Sequence, residues 1–204
     1  ARHEVTNNQY AQFLNAQQAS EEQVNSWINL KGQDCQVEKI RNHYRAKPGF
    51  EQHPLVTVSW YGAQDYCQWA GGQLPSEAQW EFAAQGGKRS QGYTYAGSNN
   101  PDEVAWYSSN SGGQTHPVGQ KKPNELGLYD MSGNGWEWCS DWYSSDYYKN
   151  SPQNNPQGPS NGSRRVVRGG SWLHYPEFCR VALRNLFHPG YRYGALGFRL
   201  ARTL

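Results

Sequence analysis

Four cysteines and two closely spaced carboxylates are the first candidates for chemistry in this chain. Cys35, Cys67, Cys139 and Cys179 could act as thiolate nucleophiles or soft-metal ligands. No two of them form a Cys-x-x-Cys pair, which argues against a zinc ribbon or a thioredoxin-type dithiol. Cys67 lies in Asp-Tyr-Cys-Gln-Trp and Cys139 in Trp-Glu-Trp-Cys-Ser, so both read as buried thiols in apolar settings. Glu137 and Asp141 have the residue types of a general acid–base pair. His3, His43, His53 and His116 show no metal-ligand spacing.

A third set makes contacts rather than bonds. Residues 164–204 open on Arg-Arg-Val-Val-Arg-Gly-Gly-Ser-Trp and contain Leu173, His174, Tyr175, Phe178, Leu183, Asn185, Leu186, Phe187, His188, Tyr191, Tyr193, Gly194 and Ala195. These thirteen residues follow neither a helical nor a strand period. They are rich in rings, whereas an ordinary loop is built of Gly, Ser, Asn and Asp. Exposed together they would form an apolar, amphipathic patch of the kind that marks a binding site. Tyrosine gives such a patch large contact area at low entropic cost. Arg180, Arg184, Arg192 and Arg199 punctuate the set and are expected to brace loop carbonyls.

The elements that must hold these residues are few. A length of 204 residues suits one domain. Hydrophobic residues make up only 36%, yet there are 9 Trp, 14 Tyr and 6 Phe, so an aromatic, aliphatic-poor core is expected. With 22 Gly and 11 Pro, much of the chain should be ordered coil. Thr6 caps a helix over 6–17 with Tyr10, Phe13 and Leu14 on its inner stripe. Residues 18–55 read as irregular apart from a short helix near 21–30. Ser59 caps a helix running to about Ala70, and Ser76 with Gln79 forms a capping box that starts another. From Gly92 onward the pattern gives short aromatic strands and turns, with 152–163 as an exposed loop. A net charge of +2 gives no electrostatic footprint for nucleic acid, and no apolar run is long enough to cross a membrane.

The order of several blocks resembles one known family. They include Glu4-Val5-Thr6-Asn7, His53-Pro54-Leu55-Val56-Thr57-Val58-Ser59-Trp60, and Leu74-Pro75-Ser76-Glu77-Ala78-Gln79-Trp80-Glu81. Further on come Gly127-Leu128-Tyr129-Asp130-Met131-Ser132-Gly133-Asn134-Gly135-Trp136-Glu137-Trp138, Arg168-Gly169-Gly170-Ser171-Trp172 and Gly197-Phe198-Arg199. Together these resemble the formylglycine-generating-enzyme (sulfatase-modifying factor) family along nearly the whole chain. The resemblance implies an α+β, C-type-lectin-like fold of the formylglycine-enzyme subtype over 1–204, with two main helices, short antiparallel sheets and much ordered coil. It places Glu137 and Asp141 in a structural block. It also implies a structural calcium ion near Asn134 and Glu137, with no cofactor otherwise required. Catalytic members hold copper through two cysteines five positions apart, and the matching positions here are His174 and Cys179.

Residues 164–204 also resemble the variable region of proteins diversified by retroelements, treponemal ones among them. In such regions the template adenines of Asn codons are replaced at random. Substitution at the first two bases of an AAC codon cannot produce Trp, Met, Lys, Glu or Gln, and none of these stands at the thirteen positions. This resemblance implies a non-catalytic binding protein displayed at the cell surface as an outer-membrane lipoprotein, with a protein or surface-glycan partner. The alternatives are a formylglycine-type oxidoreductase with an altered metal site and a phage receptor-binding protein. A calcium-dependent lectin route lacks its Glu-Pro-Asn or Gln-Pro-Asp triplet.

Overall fold

A computed structural model describes residues 1–202; the last two residues of the 164–204 region lie outside it. The capping signals place the helices closely. Thr6 accepts from the Gln9 N–H while the Gln9 side chain accepts from the Thr6 N–H, which starts α1 (Asn7–Gln17). Ser20 caps α2 (Glu21–Trp27) and Ser59 caps α3 (Trp60–Trp69). The Ser76–Gln79 box starts α4 (Glu77–Ala84). α1 and α3, of 11 and 10 residues, are the two main helices.

Two elements lay hidden in stretches that read as irregular or strand-like. A hairpin joins β1 (Val37–Ile40) to β2 (His43–Ala46), with Val37 opposite Ala46 and Ile40 opposite His43. Asn100 and Pro101 start a one-turn helix, α5 (Pro101–Val104), that leads into β3 (Ala105–Trp106). β3 pairs in parallel with β4 (Ser132–Gly133).

The central sheet carries the region of interest. Its order is β7 (Asn185–Phe187), β6 (Arg165–Arg168), β5 (Trp136–Trp142), β8 (Leu196–Gly197). β6 lies antiparallel to both β5 and β7, while β5 and β8 run parallel, so the sheet is mixed rather than wholly antiparallel. The short β7 is an edge strand.

The main core is aromatic, as the composition requires. Tyr10, Phe13, Trp27, Tyr66, Trp136, Trp138 and Phe198 are buried between α1, α3 and the sheet. Most of their ring pairs meet tilted or edge-on, for example Tyr66 and Phe198 at 5.3 Å and 73°, while Tyr10 stacks on Tyr66 at 20°. A smaller cluster of Trp80, Met131, Cys139, Val166 and Val181 fills the space under α4. All four cysteines are buried and unpaired. No helix of the described residues is long and apolar enough to cross a membrane.

Candidate functional site

β6 delivers the chain to the site through a turn that only glycine fits. Gly169 and Gly170 sit at φ of 97° and 79°. A Cβ on Gly170 would lie 2.7 Å from the Cys179 Sγ. Beyond the turn Ser171 and Trp172 are buried. The Trp172 N–H donates to the Asn134 carbonyl, and its indole N–H donates to the Gly194 carbonyl. Trp172 therefore ties the first half of the region to the last.

The main chain is pinned repeatedly by main-chain partners. The carbonyls of His174, Pro189 and Ala195 accept from the N–H groups of Ser108, Trp60 and Trp136 at 2.9, 2.9 and 2.8 Å. The Tyr193 carbonyl accepts from Thr57, a β-branched residue held at φ 62°. Fixed side chains add further ties. Arg184 forms a two-pronged ion pair with the buried Glu77, Nε to Oε1 at 2.6 Å and Nη2 to Oε2 at 2.8 Å. Arg168 bridges Glu77 and Glu81 and donates to the Val181 carbonyl. The Ser111 Oγ donates to the Trp172 carbonyl at 2.8 Å. Neither Ser108 nor Ser111 was legible as part of the site, because no local pattern links residues some sixty positions apart.

The thirteen residues do not share one environment. Leu173, Tyr175, Phe178, His188 and Tyr191 are exposed, Tyr175 most of all at 67%. His174, Leu183, Asn185, Leu186, Phe187 and Tyr193 are half-buried. Leu183, Phe187 and Tyr193 rest on the main core and so contribute to the fold as well. Gly194 and Ala195 are buried and present no contact surface, which corrects their assignment to the binding set. A Cβ on Gly194 would lie 1.8 Å from the Asp34 Oδ2, and Ala195 is wholly enclosed.

The rings form two groups. His174 stands 5.4 Å from Phe178 and packs edge-on against Trp136 at 5.6 Å. Phe187, Tyr191 and Tyr193 make a second group, with centroids 5.4 to 6.4 Å apart. Tyr191 and Tyr193 lie nearly parallel, at 19°. Packed rings with exposed edges are poor chemistry but good contact surface.

The metal expectations meet the geometry less well. The Glu137 carboxylate takes the Trp80 indole N–H at 2.7 Å and both prongs of Arg199 at 2.6 Å. The Asn134 amide is equally engaged. Its oxygen accepts from the His116 N–H, and its nitrogen donates to Glu4 and to the His116 carbonyl. With Arg199 already on Glu137 and the Asn134 side-chain oxygen engaged by the His116 N–H, this arrangement of the two side chains favours a structural role over calcium binding. A two-thiolate copper site does not fit. The His174 Nδ1 is bonded to the Ser171 Oγ at 2.6 Å and faces the Trp136 indole N–H at 3.3 Å, and burial lowers its pKa. Burial pushes the Cys179 thiol up to about 12, so it stays protonated. Asp141 accepts from the Glu77 N–H and the Ser140 hydroxyl, which is a structural position.

Comparison with known proteins places this architecture. A model of the sulfatase-modifying factor enzyme 1-like domain matches residues 1–204. The chain belongs to that family. Within it, the chain is 40% identical to the serine/threonine-protein kinase Pkn1 of Chlamydia trachomatis over 205 residues, covering 99% of this chain and 32% of that protein. It is also 40% identical to the formylglycine-generating enzyme of Streptomyces coelicolor over 192 residues, covering 86% of this chain and 60% of that enzyme. The chain thus spans a third to three fifths of the length of these relatives. Among solved structures, the Treponema denticola variable protein 1 is 32% identical, with a TM-score of 0.58 over 97% of this chain and 70% of that one. PvdO of Pseudomonas aeruginosa is 27% identical, with a TM-score of 0.74 over 100% of this chain and 79% of that one. This sulfatase-modifying-factor-like fold is the C-type-lectin-like α+β arrangement implied by the sequence.

Proposed function

We propose that this chain is a non-catalytic ligand-binding domain, displayed at a cell surface, whose binding face is the exposed part of residues 164–204. The observation that carries this is the division of labour in that region. Its backbone is held by main-chain bonds and by Arg184, Ser171 and Trp172, while Leu173, Tyr175, Phe178, His188 and Tyr191 project outward. Likeness to the Treponema denticola variable protein 1 supports a variable face of this kind. The eleven positions from Leu173 to Tyr193 in the set, without Gly194 and Ala195, are the ones free to differ among copies. Their partner is a protein or a surface glycan, and neither nucleic acid nor a cofactor is required. Sequencing the gene's surroundings tests this. A reverse transcriptase and an adenine-rich copy of the 164–204 segment are expected, and their absence would sink the diversification.

Forty per cent identity to a formylglycine-generating enzyme keeps one rival open, an oxidoreductase with an altered site. Incubating the purified protein with copper, oxygen and a Cys-containing sulfatase peptide decides between them. Turnover would overturn the non-catalytic assignment.

A further inference from the structure

Arg165 is an unusual cation. Its guanidinium lies between two indoles, 3.8 Å from the Trp60 ring centre and 3.5 Å from that of Trp142. Such a sandwich fixes the plane and direction of its donors. One prong donates to the Ser140 carbonyl, and Nε is buried without a hydrogen-bond partner. Among the described residues no carboxylate reaches it within ion-pair distance. Asp141, in the neighbouring strand, accepts from the Glu77 N–H and the Ser140 hydroxyl through Oδ2, its Oδ1 is buried without a partner, and its charge reaches Arg165 only from beyond ion-pair distance. A half-buried guanidinium held rigid and without an ion-pair partner is placed to donate to an incoming ligand.

Beside it opens a cavity of about 380 Å³, lined by Arg165, Gln64, Gln68, Gln73 and Gln157, with Leu74 among the apolar surface. Trp60, Gln64 and Gln68 are spaced by four along α3 and so share one face of the helix. The Gln64, Gln68 and Gln73 side chains make no hydrogen bond to the described residues. Each carboxamide offers two donors and an acceptor. That lining suits a ring bearing several hydroxyls, and the volume sits at the small end of ligand pockets. No Lys and no second Arg lines the cavity, so a singly charged carboxylate fits it better than a phosphate dianion.

We infer that this pocket binds an acidic sugar, one hydroxylated ring whose carboxylate meets Arg165 and whose hydroxyls meet the glutamine row. The pocket uses none of the thirteen contact positions, so it stands or falls separately from the diversified face. Phe187 is paired opposite Arg165 across β6 and β7, which puts this constant pocket next to the edge strand of that face.

Titration calorimetry with methyl β-D-glucuronide tests the pocket, with methyl β-D-glucoside, acetate and inorganic phosphate as comparison ligands. Saturable binding of the glucuronide is expected, with the glucoside at least about tenfold weaker, because a charge-assisted bond is lost. Gln68→Ala, at an exposed position, should weaken the glucuronide several-fold and leave Tm unchanged. Arg165→Met, checked for native circular dichroism, removes the cation and should abolish discrimination between glucuronide and glucoside. No saturable glucuronide binding overturns the proposal. Equal affinity for the glucoside, equal affinity for acetate, or tighter binding of phosphate overturns the ligand class just as directly.

Discussion

Replacing Arg199 by Met is the sharpest test of how this fold holds its charges. Arg199 is 4% exposed and grips a Glu137 that is fully buried, through two bonds of 2.6 Å, and it also donates to the Tyr129 carbonyl at 2.9 Å. Removing the cation leaves Glu137 with the Trp80 indole as its remaining donor. Glu4 and Asp130 lie close enough to add repulsion, since each is pushed up by burial and by neighbouring carboxylates. Breaking a buried pair on one side costs about 3–5 kcal/mol. For a chain of this size that lowers Tm by roughly 6–20 °C. Glu137→Gln combined with Arg199→Met should recover part of the loss, because no charge is then stranded. Urea unfolding with chelator and with excess calcium supplies the readout. A cost below about 1 kcal/mol, or a loss that calcium restores, would refute the reasoning. The second outcome would make Glu137 a cation ligand after all.

Other consequences separate contact residues from supporting ones. Tyr175→Ala and Tyr191→Ala should change stability by no more than about 0.5 kcal/mol, whereas Phe187→Ala, resting on the core, should cost at least about 2 kcal/mol; denaturant midpoints distinguish them. Gly194→Asn should destabilise by about 1–3 kcal/mol through collision with Asp34, and Asp34→Gly should recover part of it. Burial pushes the Asp130 carboxyl up to about 6, so below that value the native state holds a proton that the unfolded chain releases. Stability should therefore rise from neutrality toward about pH 5. Asp130→Asn, which keeps an oxygen for the Gly119 N–H, should flatten that rise in pH-dependent unfolding curves. No thiol should react with a disulfide reagent in the native protein at mildly alkaline pH, because burial pushes Cys67 and Cys179 up to about 12 and raises Cys35 and Cys139. All four should react after denaturation.

Helices α1 to α4 were legible because their signals are local: a Ser or Thr cap stands at each, with a Gln three residues on at α1, α2 and α4. The β1–β2 hairpin was not legible, and residues 18–55 read as irregular apart from one helix. His43-Tyr44-Arg45-Ala46 alternates exposed and buried, but Val37–Ile40 does not, and one strand alone names no partner. Glu137 could be read as a metal ligand because its partner Arg199 lies 62 residues away, beyond any periodicity. Gly194 and Ala195 looked replaceable for a related reason. A small residue has the same letter whether it is free to vary or pressed against Asp34. The exposed rings at Tyr175 and Tyr191 were legible because rings without a period have few buried places to go.

Main-chain anchoring of residues 171–196 has a consequence for how such a surface can change. The bonds from Ser108, Trp60, Thr57 and Trp136 are accepted by main-chain carbonyls, which every amino acid supplies alike, proline included, as at Pro189. The shape of the face is therefore nearly independent of the letters written on it. In a population of copies differing at the exposed positions, most would clear the folding threshold, and survival would be decided by what each copy grips. A domain diversified in the proposed way would sample many faces without discarding most of its variants as misfolded chains.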